Sequence, residues 1–271
     1  METFRILITV KTYPTLSTKY EELVCTAGVR EDGSWIRLYP IPFRKIPYHE
    51  HYRKYEWIEL EVVKNTSDFR PESYRPYSVD AKIRVVGKIG TESSWQRRKQ
   101  FVLKKVYSNL GQLIAEAKNK KVCTSLATFK PSEIIDFTWE PVKHKEWSPE
   151  KLKALKQLNL FTKQDDKFKV VKKLPYKFSY TFKDDAGQKS TLMIEDWETC
   201  QLYWNCLEKY DNERKACEKV REKYFDEFRS KMDLYLFLGT TKLNHFRAPN
   251  PFIIIGTFHP KKVVQPDLFG E

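Results

Sequence analysis

From Phe4 to Thr12 the chain alternates apolar and polar side chains, with Ile6, Ile8 and Val10 on one side. A period of two is the signature of a strand with one buried face. It recurs at Tyr20 to Val29, Trp35 to Tyr39, Trp57 to Val63 and Lys82 to Lys88, all rich in β-branched and aromatic residues. Glu31-Asp32-Gly33-Ser34 joins two of these runs as a tight turn, because Asp-Gly tolerates positive φ. Arg70-Pro71 and Arg75-Pro76 hold the residue before each proline extended. Ninety residues of this kind predict a small, mostly antiparallel barrel or curled sheet.

The period then lengthens. Val102, Val106, Leu110, Leu113 and Ala117 recur at three and four residues, predicting one helix from Ser93 to Lys120 with Ser93 or Ser94 as cap. A second long helix is predicted from a cap at Asp196 to about Met232. Trp197, Cys200, Trp204 and Leu207 form its first apolar stripe. Strands are expected at Tyr176 to Phe182, Ser190 to Ile194, Leu234 to Leu238 and Phe252 to Phe258. The fold class is therefore α+β: a β-rich N-terminal barrel or curled sheet, a basic connecting helix, and a C-terminal long helix with a small sheet. The expected division is 1–162, a Lys-rich linker at 163–175, a helix-plus-sheet domain at 176–260 and a partner-binding tail at 261–271. At the level of architecture the first part is similar to PUA-like or OB-like barrels.

Charge narrows the function. Lys and Arg number 49 against 36 Asp and Glu, a net +13. Such an excess favours polyanionic partners. It is concentrated between Ala81 and Val122, where eleven basic residues face two acidic ones. Arg97, Arg98, Lys99, Lys104 and Lys105 lie there, beside Trp95 and Phe101, as phosphate-contacting candidates. A second candidate surface is the sheet, where Arg37, Tyr39, Arg70 and Arg75 are interleaved with aromatics suited to stacking on bases. A third is the loop after Leu234 to Leu238, with Lys242 and Arg247. It lacks the spacing of a P-loop. Nine glycines argue against repeated glycine-loop nucleotide folds.

The last residues carry a short motif. Gln265-Pro266-Asp267-Leu268-Phe269 resembles the bacterial sliding-clamp-binding motif, Gln-Leu-Ser/Asp-Leu-Phe. Gln265, Asp267, Leu268 and Phe269 match; Pro266 departs from leucine. The resemblance covers five residues and implies a clamp partner, with Leu268 and Phe269 entering an apolar pocket.

Chemistry is less marked. Five scattered cysteines without a CxxC pair suit reduced thiols in a cytoplasm. The start has no export signal and no apolar run reaches the roughly 20 residues of a membrane span. No Cys/His spacing matches zinc, and no metal or cofactor is expected. Asp196 and Glu198 are the candidate carboxylates should the protein be a metal-dependent nuclease. The resulting expectation is a cytoplasmic DNA-binding accessory protein, recruited to the clamp in repair, replication or defence against foreign DNA. The alternatives are a clamp-tethered nuclease or DNA-modifying enzyme, and an RNA-binding module whose tail match is accidental.

Overall fold

The computed structural model describes residues 2–17, 21–44, 46–78, 81–153 and 170–263. Its fold is α+β. The first seven strands are β1 (Glu2–Lys11), β2 (Thr15–Ser17), β3 (Glu21–Val29), β4 (Trp35–Ile41), β5 (Glu56–Lys64), β6 (Ser73–Pro76) and β7 (Arg84–Lys88). The order β1-β3-β4-β6-β5 closes on itself, because β1 pairs with both β3 and β5. β4 and β6 run parallel; the other pairs in the ring are antiparallel. A closed ring leaves no strand edge. The alternation in the sequence fills its interior with Ile6, Ile8, Ile36, Leu38, Ile58 and Leu60. Gly33 takes the expected positive φ of 83° in the β3–β4 turn. Gly28 is needed for a different reason: a Cβ there would stand 2.3 Å from the Leu7 carbonyl oxygen across the ladder.

The second sheet contains β8 (Val106–Tyr107), β9 (Leu126–Phe129), β10 (Glu133–Pro141), β11 (Tyr176–Lys183), β12 (Lys189–Ile194), β13 (Tyr235–Thr240) and β14 (Phe252–Phe258). Their order is β10-β11-β12-β14-β13-β9-β8. Residues 106–141, assigned to the first domain by sequence, therefore hydrogen-bond into the sheet of residues 176–258. The change from one sheet to the other falls near residue 105, ahead of the linker expected at 163–175, of which 163–169 lie outside the described residues. Composition marks a charged segment but not the pairing partners of the strands before it.

Both faces of this sheet are covered. Leu236, Leu238 and Ile254 point to a helical layer with Leu113, Tyr203, Cys217 and Phe228. Phe237, Ile255 and Phe258 point the other way, into a core shared with Leu7, Val10, Tyr55 and Trp57 of the barrel. This two-sided burial is why Phe252 to Ile255 reads as an unbroken apolar run.

The helices whose full span lies within the described residues include α1 (Glu92–Val102), α2 (Leu110–Lys118), α3 (Trp197–Tyr210), α4 (Glu213–Arg221) and α5 (Phe228–Lys231). Each long predicted helix is two pieces. The first is interrupted by β8, where Val106 and Tyr107 pair with Thr128 and Phe129. Val106 thus leaves the helical stripe, whereas Leu110, Leu113 and Ala117 are buried on it. Asn109 caps α2 by accepting from the Gln112 amide. Ser93 and Ser94 do not cap α1: they adopt left-handed backbone with Trp95, and regular helix follows from Gln96. The second long helix breaks at Asp211 in left-handed backbone, and Asn212 caps α4. A π-helical stretch, Glu222–Glu227, joins α4 to α5.

Candidate nucleic-acid interface

An exposed aromatic surface with basic neighbours lies where a barrel loop meets the loop after β13. Phe69 comes from the barrel and Phe246 from the second sheet. Their rings stack with centroids 5.0 Å apart and planes 29° apart. They are 46% and 41% exposed, and Leu243 beside them is 63% exposed. With Lys242 and Arg247 these residues line a shallow depression of about 490 Å³.

The loop is held from below. His245 is fully buried. Its Nε2 lies 2.8 Å from the Ala117 carbonyl, which can only accept, so Nε2 carries the proton. Nδ1 then accepts from Thr240 Oγ1 at 2.7 Å. Burial lowers the His245 pKa, so the ring is a neutral pin. Lys118 donates to the carbonyls of His245 and Ala248 at 2.7 and 2.5 Å. Lys120 and Lys121, at the end of the same helix, remain exposed.

Sequence reasoning named eleven contact candidates, and the fold sorts them. Lys242 and Arg247 meet in the depression; Lys242 also donates to the Ser67 carbonyl of the barrel loop. Tyr39 and Arg75 are exposed on the barrel. Each directly follows a residue of the parallel pair Leu38↔Tyr74. Asn65, two residues before Ser67, donates to the Tyr39 carbonyl at 3.4 Å. Arg97, Lys99, Lys104 and Lys105 belong to α1 and the residues after it. Lys104 donates to the Glu31 carbonyl at 2.9 Å, and Lys105 stands 3.6 Å from Glu116 and 4.6 Å above the Tyr107 ring.

Three candidates are corrected by burial. Arg37 is 2% exposed and donates to Ser125 Oγ at 2.8 Å and to the carbonyls of Ser125 and Thr240. Arg70 is 6% exposed, clasps Asp68 through Nε and Nη2, and donates to the Thr240 carbonyl at 2.5 Å. Burial alone would raise the Asp68 carboxyl, but Arg70 overcomes it and brings the carboxyl down to about 2. Arg98 is buried, donates to the Ile89 carbonyl and lies 3.8 Å over the Tyr55 ring. Side-chain period shows which way Arg37 points, but not that a second sheet covers that side.

The two acidic candidates meet elsewhere. Asp196 stands at the N-cap position of α3, yet makes no capping hydrogen bond. Its Oδ1 instead binds Lys54 Nζ at 2.6 Å, and the same ammonium reaches Glu198 Oε2 at 2.9 Å. Burial raises the Asp196 carboxyl; burial opposes but Lys54 holds the more exposed Glu198 below the carboxylate range. Lys54 thus fills the space between the carboxylates that a nuclease metal would need. No group of three or more potential metal ligands converges among the described residues. His51 stacks on Phe43 with ring centroids 4.7 Å apart. The cysteines are free, and no described helix is long and apolar enough to cross a membrane. Gln265, Asp267, Leu268 and Phe269 lie outside the described residues.

The architecture is thus that of a two-lobe α+β protein, a closed barrel docked on a mixed sheet. By residues 106–271 the chain belongs to the family described as domain of unknown function DUF8757, and residues 2–104 match a second model of the same kind, DUF8758. The two matches meet where the chain passes from barrel to second sheet. No curated protein matches the sequence. One solved structure that aligns is a murine DNA-binding protein bound to double-stranded DNA. The alignment has 7% identity and a TM-score of 0.33, covering 99% of this chain and 100% of that one. Similarity at that level carries no argument about fold or function.

Proposed function

We propose that this protein binds DNA through the junction of its two lobes and is brought to the replication sliding clamp by Gln265, Asp267, Leu268 and Phe269. The observation that carries the reading is the Phe69–Phe246 stack, exposed beside Lys242 and Arg247 in a chain of net charge +13. Exposed rings offer stacking to unpaired bases and the cations offer phosphate contacts, the combination found in strand-tracking sites. Lys120, Lys121, Tyr39 and Arg75 extend the surface on either side. Clamp recruitment would confine a weak, sequence-tolerant binder to replicating or repaired DNA. Roles in repair, replication or defence fit this equally.

The test is a salt titration of DNA binding by the full chain. Lys242→Ala with Arg247→Ala should lower affinity for every sequence and reduce the salt slope by about two units, one per phosphate contact. Phe69→Ala with Phe246→Ala should weaken single strands more than duplex. Unchanged affinity in both double variants overturns the reading.

A further inference from the structure

The exposed side of α3 is not used by the interface above. Trp197, Gln201 and Trp204 follow at four and three residues and so share one helix face. Sequence periodicity assigns both tryptophans to the core stripe with Cys200; Cys200 and Tyr203 are buried, whereas the indoles are half-buried, Trp204 against the helical core and Trp197 against the barrel core. They border a cleft between α3 and the barrel. One part, about 690 Å³, has Tyr13, Lys172 and Trp204 on its walls. A second part, about 440 Å³, has Lys11, Arg53, Lys54, Lys223 and Glu198. Trp197 and Gln201 line both, so the two parts adjoin at this pair of side chains. These volumes lie within the range of small-molecule sites.

The two ends differ in chemistry. At one end, the Tyr13 hydroxyl donates to the Lys172 carbonyl at 2.9 Å, which fixes its ring, and Lys172 Nζ lies 5.3 Å from the Trp204 ring. The other end has four basic side chains and one acidic one. Lys54 is matched by Asp196 and Glu198, but Lys11 has no carboxylate within ion-pair distance among the described residues. Its ammonium donates to the Tyr52 carbonyl at 3.1 Å and lies 4.5 Å over Phe43 and 5.3 Å over Trp197. One end therefore carries a surplus, immobilised cation, and the other carries the Tyr13 and Trp204 rings among Arg44, Lys172, Glu208 and Asp211. Trp197 and Trp204 are seven residues apart, about 10 Å along a helix. That spacing suits a ligand with a ring at one end and an anion at the other, and the Gln201 amide between them can both donate and accept.

We infer that this cleft binds a nucleotide, its base against Trp204 and Tyr13 and its phosphate at Lys11. Burial and the neighbouring Lys54 lower the Lys11 pKa to about 8, and a bound phosphate would reverse that shift. The nucleotide can be free or turned out of a bound strand. The site shares no residue with the DNA interface proposed above, and its binding of a free nucleotide does not depend on that interface.

The test uses the full chain. Tryptophan fluorescence and calorimetry with AMP and CMP, against adenosine and inorganic phosphate, probe a free nucleotide. A single strand carrying 2-aminopurine probes an extruded base. At least one arm should respond. Trp204→Ala should remove the response, and Lys11→Met should weaken phosphate-bearing ligands by about tenfold while leaving adenosine unchanged. Lys223→Ala, at an exposed position where folding is not at risk, should weaken them by about threefold. Phe69→Ala with Phe246→Ala should leave AMP binding intact, which separates this site from the DNA interface. Silence in both arms at millimolar ligand, or equal affinity in Lys11→Met and Lys223→Ala, overturns the inference.

Discussion

Arg70 of the barrel donates to the Thr240 carbonyl of β13 at 2.5 Å, so its guanidinium serves the joint between the lobes and not the solvent. Arg37 reaches the same carbonyl and Ser125. Removing Arg70 takes from the buried Asp68 carboxylate its ion-pair partner, leaving it only the Ser73 hydroxyl and the backbone amide of residue 70. Arg70→Ala should cost about 3 kcal/mol in chemical denaturation, the scale of a broken buried ion pair. Salt-dependent DNA affinity of the remaining folded protein should stay within twofold. A stable Arg70→Ala variant that loses DNA would return Arg70 to the contact surface.

Lys54 and Asp196 set a second expectation. Lys54→Met strands a fully buried carboxylate whose Oδ2 already lacks a hydrogen-bond partner. Lys54→Met should destabilise by about 3–5 kcal/mol, and adding Asp196→Asn should recover much of that loss. A double-mutant cycle measures it. Additive effects would mean that the pair is not coupled.

His259 gives the pH dependence a sign. It stacks on Phe228 at 4.3 Å and lies 5.2 Å from Trp95. Burial first, then Lys54, lowers its pKa from 6.5 to about 4. The folded state thus favours the neutral ring. Its stabilisation is complete above pH 6.5 and is lost as pH falls towards 4, because only the unfolded chain takes up the proton in that window. Urea midpoints should decline across this range, and His259→Phe should flatten the decline. An equal slope in both proteins would assign the dependence to other groups.

The tail can be tried apart from the fold. A peptide spanning residues 261–271 should bind a bacterial sliding clamp with roughly micromolar affinity, the scale of a small anchored peptide. Replacing Leu268 and Phe269 by alanine should abolish binding. Equal binding by both peptides would leave the clamp without a recognition element.

Local pattern was enough for strands β1, β3, β4, β5 and β7. Ile6, Ile8, Ile36 and Leu38 alternate in the sequence and line the barrel, and the Asp32-Gly33 turn lies where its backbone preference put it. Strands β11 to β14 were equally legible, because side-chain period is a property of neighbours along the chain. Local pattern did not reveal that Val106 leaves a helical stripe to pair with Thr128, since that hydrogen bond depends on a strand twenty residues away.

The candidate surface divides in the same way. Sequence alone offered Lys242, Arg247, Tyr39 and Arg75 as candidates for nucleic-acid contact and gave the excess of positive charge behind them. Only the tertiary structure decided that Arg37, Arg70 and Arg98 are buried, that Phe69 stacks on Phe246, and that Lys54 lies between Asp196 and Glu198. Charge and periodicity specify what a side chain is and which way it leaves its own strand or helix. Whether it then meets water or another lobe is fixed by contacts between residues as far apart as Arg70 and Thr240, and these exist only once the barrel has docked on the second sheet.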